Sequence, residues 1–362
     1  MGTITRSFAN NITSGGTFDA TDLTGTIPSS NIADASVGNI TDVPALVATT
    51  KESSDPPSPV NGQIWYNTTD RVLRGYVQVG SWASGGNMNT GRYDGSSAGT
   101  QTAFLAFGGY TTGIVSTTES YNGTSWSPGT SIPTATYAGA GTGTQTAAIM
   151  IGGQTPGAPA TTATIEWDGG SWTSGGNLNS GQRYRRASGI QTAGLVMGGN
   201  GGSPSPTAET ESYDGTSWTE VGDLNTAGTG GMSLNGSGPN TASLYFGGQR
   251  PSETAATESW NGTSWTEVGD LNQARAYGGG GGTQTNAIAM SGANVPAPTM
   301  YAQTEIFDGT SWTEVGDVAT GRYAVFSAGT TAAGIISGGA PGSVTNTEEW
   351  TQANVTTKLG VS

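Results

Sequence analysis

Five glutamates recur at one place in a repeated unit: Glu119, Glu211, Glu258, Glu305 and Glu348. Acids on such a rhythm could ring a metal ion, or supply the carboxylate pair that cleaves a glycosidic bond. Neither pattern is complete. The acids repeat unit by unit without converging on one pair, and no calcium-loop spacing appears, so no metal site and no catalytic residue are expected. Arg92, Arg183, Arg275 and Arg322 begin segments of the same units and are expected to pair with these acids, which would otherwise cap backbone N–H groups. The densest basic spot, "RYRR" at 183–186, reads as a solvated edge or salt bridge in preference to an anion site. Trp82, Trp126, Trp172, Trp218, Trp265 and Trp312 offer indoles on which a sugar could stack. Their fixed place in every unit points instead to packing between units.

Composition removes other chemistry. The 362 residues contain no Cys and no His, which excludes disulfides, thiolate nucleophiles, most zinc and copper sites and the commonest general base. Lys51 and Lys358 are the only lysines, so a Schiff-base role has few candidates. The Gly-Gly and Gly-x-Gly stretches are not followed by Lys-Ser or Lys-Thr and open no helical pattern, so they are not phosphate loops and no cofactor is implied. A net charge of −14 argues against nucleic acid and against an anionic membrane surface. No apolar run long enough to span a bilayer is present, and "MGTITRSFANNIT" has neither the apolar core of a signal peptide nor a myristoylation pattern.

The elements that must position these residues follow from the period. The six tryptophans are spaced by 44 to 47 residues, a length typical of propeller blades. Gly, Ser and Thr interrupt every candidate helix, and each unit divides into four strand-like pieces. The first begins near Arg-Tyr or Thr-Tyr, and the second closes on glycines, as in "TAFLAFGG", "TAAIMIGG" and "TASLYFGG". The third is the "TESY" piece and the fourth starts at "TSW". Asn-Gly or Asp-Gly between the last two predicts a hairpin with a type I′ turn, positive in φ at both central residues.

The double glycine, the aromatic at Tyr121, Trp167, Tyr213, Trp260, Phe307 and Trp350, and the Trp five residues beyond the first five of these resemble the kelch family of β-propellers over residues 80–350. Met290-Ser291-Gly292 replaces one Gly-Gly, and Ile165 stands where the other units carry Glu. Six second strands and six third strands are present, but no "GTSW" follows "TEEW" at 347–350. The missing strand is found at 80–89, "GSWASGGNMN". The expected fold is therefore all-β, a six-bladed kelch-like propeller closed by an N-terminal strand, which removes free sheet edges.

Residues 1–55 are polar and poor in aromatics, and are expected to form an elongated non-globular attachment arm or stalk. Residues 56–79 read as a linker and a hairpin turning at Thr68-Thr69-Asp70, and 351–362 as a C-terminal tail. The wording "GQIWYNTT…GSW", with "LTGTIPSSNI" before it, resembles modules of tailed-bacteriophage appendage proteins, marine phage fibres in particular. That resemblance implies a virion protein, a thin arm (residues 1–55) binding other virion proteins, a globular head, and a homotrimer as one assembly.

The connection from second to third strand varies most between units. Variable loops on one face of a constant scaffold are the usual construction of a binding module, although loop drift gives the same pattern. Tyr110, Gln154, Asn200, Arg250 and Tyr301 are the side chains there best able to stack or hydrogen-bond. The leading expectation is a non-enzymatic tail or surface fibre whose head contacts a host-surface glycan or protein. The alternatives are a capsid decoration protein without a receptor and, last, a propeller carbohydrate-active enzyme.

Overall fold

The computed structural model describes residues 50–57, 63–201, 206–233, 239–249, 252–294 and 299–359, and the fold is all-β. Arm residues 1–49 and candidate residue Arg250 lie outside the described residues. Among the described residues, five four-stranded antiparallel sheets and one six-stranded sheet follow the six sequence units. In blade 1 the order from inside outwards is Ser96–Thr100, Ala103–Phe107, Thr118–Tyr121 and Trp126–Gly129. Blades 2 to 5 repeat it from innermost strands Ala140–Gly143, Arg186–Ile190, Met232–Ser233 and Gly279–Thr283. Blade 6 runs Phe326–Gly329, Ala333–Ser337, Thr347–Leu359 and then Val72–Ser84, so a strand from the N-terminal side supplies its fourth member. The innermost strands are neighbours in sequence order, and the last returns to the first. The chain is a six-bladed propeller.

Six apolar clusters lie one between each pair of adjacent blades, including Phe104, Trp126, Phe326 and Ile335 between the last and the first. Each tryptophan of the fourth strand reaches back across such a junction. The indoles of Trp126, Trp218, Trp265, Trp312 and Trp82 donate at 2.9–3.2 Å to the hydroxyls of Thr347, Thr164, Thr210, Thr257 and Thr304, the residues that open the third strand of the preceding blade. Trp172 departs from the pattern and donates to the Thr130 carbonyl. The indole buries apolar area and satisfies its one donor within the same contact.

The turns between third and fourth strands differ from the type I′ expectation. Four residues intervene between the paired Tyr121 and Trp126, and of the Asn-Gly pair only Gly123 is left-handed, at φ 88°. The Asn122 side chain accepts from the N–H groups of Thr124 and Ser125 at 2.9 Å, and Asp168, Asp214, Asn261 and Asp308 do the same in their blades. An Asx turn satisfies the loop from its own side chain, so the first residue never needs positive φ. Those N–H groups hold the exposed Asp168 and Asp214 carboxylates below their ordinary pKa.

The chain divides into two compact units, Gly80–Gln352 and a second formed by the residues on either side. In the second, Thr50–Glu52 pairs parallel with Ile64–Asn67, which forms a hairpin with the strand starting at Val72. Asp55 organises it, accepting from the buried Trp65 indole and from Asn67 at 3.1 Å and pairing with Arg74 at 3.0 Å. The C-terminal segment, expected as a tail from residue 351, continues as strand to Leu359. A strand partner for its backbone groups is the physical reason, since extended backbone gains little without one.

Candidate functional site

The glycines that close each second strand build one face of the propeller. Gly108 and Gly109 turn left-handed, at φ 65° and 108°, and a side chain on Gly108 would drive into the Thr136 carbonyl. Without it, the Gly109 N–H reaches that carbonyl at 2.8 Å. The same bond joins Gly153 to Gln182, Gly199 to Gly228, Gly248 to Arg275, Gly292 to Arg322 and Gly339 to Arg92, so every blade is tied to the next. Ser291 fills the irregular Met290-Ser291-Gly292 position at φ 58°, and its hydroxyl accepts from the Arg322 N–H at 2.9 Å.

The next residue in each blade then bridges to the residue that leads into its innermost strand. The pairs are Tyr93 with Tyr110, Tyr137 with Gln154, Arg183 with Asn200, Thr229 with Gln249, Ala276 with Ala293, and Tyr323 with Ala340. Immediately inside them lies a closed cycle of backbone hydrogen bonds. Asp94, Ala138, Tyr184, Gly230, Tyr277 and Ala324 are all left-handed, with φ of 51–60°. Each donates its N–H to the carbonyl of the one before, at 2.6–3.2 Å, and Asp94 closes the cycle on Ala324. Left-handed backbone at five non-glycine positions carries strain, which the cycle holds in place.

This rim is two-sided in chemistry. On one arc the rings of Tyr93 and Tyr110 lie 5.5 Å apart, Tyr110 and Tyr137 5.8 Å, Tyr137 and Tyr184 6.4 Å, and Tyr184 and Tyr277 5.5 Å. Arg183 lies 5.6 Å from the Tyr184 ring centre and donates to Gln154 Oε1 at 2.5 Å, and the Tyr137 hydroxyl donates to the same oxygen at 2.9 Å. On the other arc the bridging residues are Ala276, Ala293 and Ala340, with Tyr323. Burial first, then Asp94 and the neighbouring rings, push the Tyr93 and Tyr184 hydroxyls upward, and burial with Asp94 pushes Tyr277 up to about 12. All three remain neutral donors at physiological pH.

Of the residues expected on this face, Tyr110 and Gln154 lie within the aromatic arc, and Asn200 pairs through its backbone with Arg183. Tyr301 is half-buried and held through its main chain by Gly292 and the Ser291 hydroxyl, with no ring contact among the described residues. Tyr93, Tyr137, Tyr184, Tyr277, Arg183 and Gln249 were not foreseen as rim residues. The Arg-Tyr and Thr-Tyr pairs that open first strands are the signal that would have found Tyr93, Tyr137, Arg183 and Tyr184.

Arg183 also departs from its expected ion pair. Arg185 takes that role, meeting Glu211 at 2.7 Å. Arg92 stands three residues after Asn89, but Gln182 occupies that place after Asn179, and the arginine reaches the acid from further along the strand. Arg92–Glu119, Arg275–Glu305 and Arg322–Glu348 form as expected, and these pairs are buried. Each of Glu119, Glu211, Glu258 and Glu305 also accepts from the backbone N–H of an Asn in the preceding connection, at 2.7–2.8 Å. Burial pulls the Arg92, Arg185 and Arg322 guanidinium pKa values downward against the pull of their acids. In blade 2 the pair is replaced as a unit, Ile165 standing for the acid and Thr136 for the arginine. With their oxygens engaged, the repeated acids form no metal ring, and no group of three metal-ligating side chains occurs among the described residues.

No protein-family profile matches the chain, and no curated protein matches its sequence. Among solved structures it is similar to the one titled "Structure of YjhT", with a TM-score of 0.61 and 11% identity over 74% of this chain and 99% of that one. That likeness is one of fold.

Proposed function

We propose that the chain is a non-enzymatic virion protein of a tailed phage, a kelch-like propeller head that binds a neutral glycan on the host surface. The observation that carries the binding role is the arc from Tyr93 through Tyr277, with Gln154 and Arg183 fixed at its centre, facing alanines across the rim. A run of tyrosine faces and hydroxyls offers stacking surface and hydrogen bonds together, at low cost in side-chain entropy. The net charge of −14 disfavours acidic glycans. The appendage-like wording of the N-terminal region supports the virion reading, with residues 1–55 as the attachment to other virion proteins and trimerisation as a means of multiplying weak sites.

Two measurements test this. Serum against residues 80–362 should label projecting fibres or tail tips of intact particles. Label spread over the head would favour decoration, and absence of label on any particle would remove the virion reading. A glycan array probed with the purified chain should give neutral-sugar binding that Tyr110→Ala and Tyr137→Ala abolish. Binding untouched by both substitutions would overturn the assignment of the site.

A further inference from the structure

Inside the backbone cycle the innermost strands enclose a cavity with about 30 Å³ open to water centres. That is room for two or three waters or one small ion, at roughly 10–15 Å³ per water. Its wall is mainly Gly, Ala and Ser, as crowding at the axis requires, but blade 3 sends in Arg186. The Nε of Arg186 donates to the Gly231 carbonyl. Among the described residues that is its only hydrogen bond, and no carboxylate lies within the 4.0 Å of an ion pair. Neither Nη group has a hydrogen-bond or ion-pair partner among the described residues. On the same wall Ser96 is 2% exposed, and its hydroxyl has no partner.

A guanidinium does not shed its proton inside a protein, and Arg186 is half-buried, so its charge lacks both full hydration and an ion-pair partner. Asp94 is within electrostatic range but outside ion-pair distance, and shares the region with Arg183, Tyr184, Tyr245 and Tyr277. We infer that the channel is an anion site, in which Arg186 and the Ser96 hydroxyl hold one small monovalent anion of the size of chloride. The Arg186 guanidinium and the unpartnered Ser96 hydroxyl line one small space, which has room for a halide. The inference is independent of the glycan reading, because the site lies inside the cycle and uses none of the rim side chains.

The test uses the full chain in halide-free buffer, followed by thermal unfolding with chloride, bromide or sulfate at constant ionic strength. Chloride and bromide should raise the midpoint in a saturable way, with sulfate giving no saturable component. Arg186→Met should remove the halide dependence, and Ser96→Ala, which leaves the charge in place, should weaken apparent halide affinity by about tenfold. Crystals grown in bromide should show anomalous scattering beside Arg186. Equal responses to halide and sulfate, an unchanged halide response in both variants, or bromide confined to other positions would each overturn the inference. If Arg186→Met fails to fold, Ser96→Ala and the bromide position decide the matter.

Discussion

The junctions between blades and the axis they surround are built on opposite plans. At the junctions tryptophan meets threonine, and within each blade glutamate meets arginine, with only local exchanges such as Ile165 and Thr136 in blade 2. At the axis the backbone repeats, through the double-glycine bonds and the six-residue cycle, but the side chains do not. The six positions of the cycle are Asp, Ala, Tyr, Gly, Tyr and Ala. Repetition therefore marks what closes the ring, and variation on a repeated backbone marks where chemistry can differ. Stability should respond to the first set of residues and recognition to the second.

The largest effects should come from these repeated contacts. Glu305 accepts from Arg275 and from both nitrogens of Asn272, and the Arg275–Glu305 pair lies out of solvent. Glu305→Ala strands a buried guanidinium and should cost about 3–5 kcal/mol. Trp265→Ala removes a buried indole and leaves a cavity, at a similar cost of about 3–5 kcal/mol. Denaturant unfolding measures both. A loss below about 1 kcal/mol for either would mean that these repeated contacts do not carry the fold.

Asp94 offers a smaller test at the axis. Burial pushes its carboxyl up to about 7 from 3.8, opposed by Arg186 and Arg183. The folded state thus holds the proton more tightly than the unfolded chain. Its contribution to stability is complete below pH 3.8 and is lost as pH rises towards 7. Asp94→Asn removes the titration, so relative to the native chain it should gain stability between pH 4 and pH 7 and hold that gain at pH 8. A difference that stays flat across unfolding curves at pH 4, 6 and 8 would show that Asp94 titrates normally in the fold.

What was legible in the residues follows the same division. The period of the tryptophans, the glycine pairs and the strand lost from one end and found at the other were enough to give six blades and their closure, because each depends on local patterns repeated in register. Arg183 misled for the same reason. It looks like the arginine of the other units, but Gln182 holds their place after Asn179, Arg183 stands one position further on, and Arg185 makes the ion pair. Arg186 was read as part of a solvated cluster, since a line of sequence does not show which of three nearby arginines points at the axis. Tyr184 and Tyr277 sit in the cycle while Tyr93, Tyr137 and Tyr323 bridge outside it, a one-residue offset that only the hydrogen bonds reveal.

Rim substitutions should separate recognition from folding. Tyr137→Ala should abolish glycan binding while shifting stability by about 1 kcal/mol, the scale of a lost aromatic contact on a half-buried ring. Ala340→Ser, on the bare arc, should change neither. Loss of binding from the alanine arc, with the tyrosine arc silent, would reverse the assignment of the two sides.

The smallest effect gives the sharpest comparison, because one threonine of the repeated set lacks its indole. Thr210 accepts from Trp265 at 3.2 Å in a buried contact, whereas the buried Thr118 hydroxyl has no partner, Trp172 donating to the Thr130 carbonyl instead. Thr210→Val keeps the shape and deprives a buried N–H of its acceptor, which should cost about 1–3 kcal/mol. Thr118→Val replaces an unsatisfied hydroxyl with a methyl group and should be neutral or slightly stabilising. The two changes are chemically identical and sit at equivalent positions of the same repeat, so differences of residue type cancel. Equal losses on denaturant unfolding would mean that the threonine itself matters for the third strand. A loss confined to Thr210 would mean that the indole bond is what ties one blade to the next.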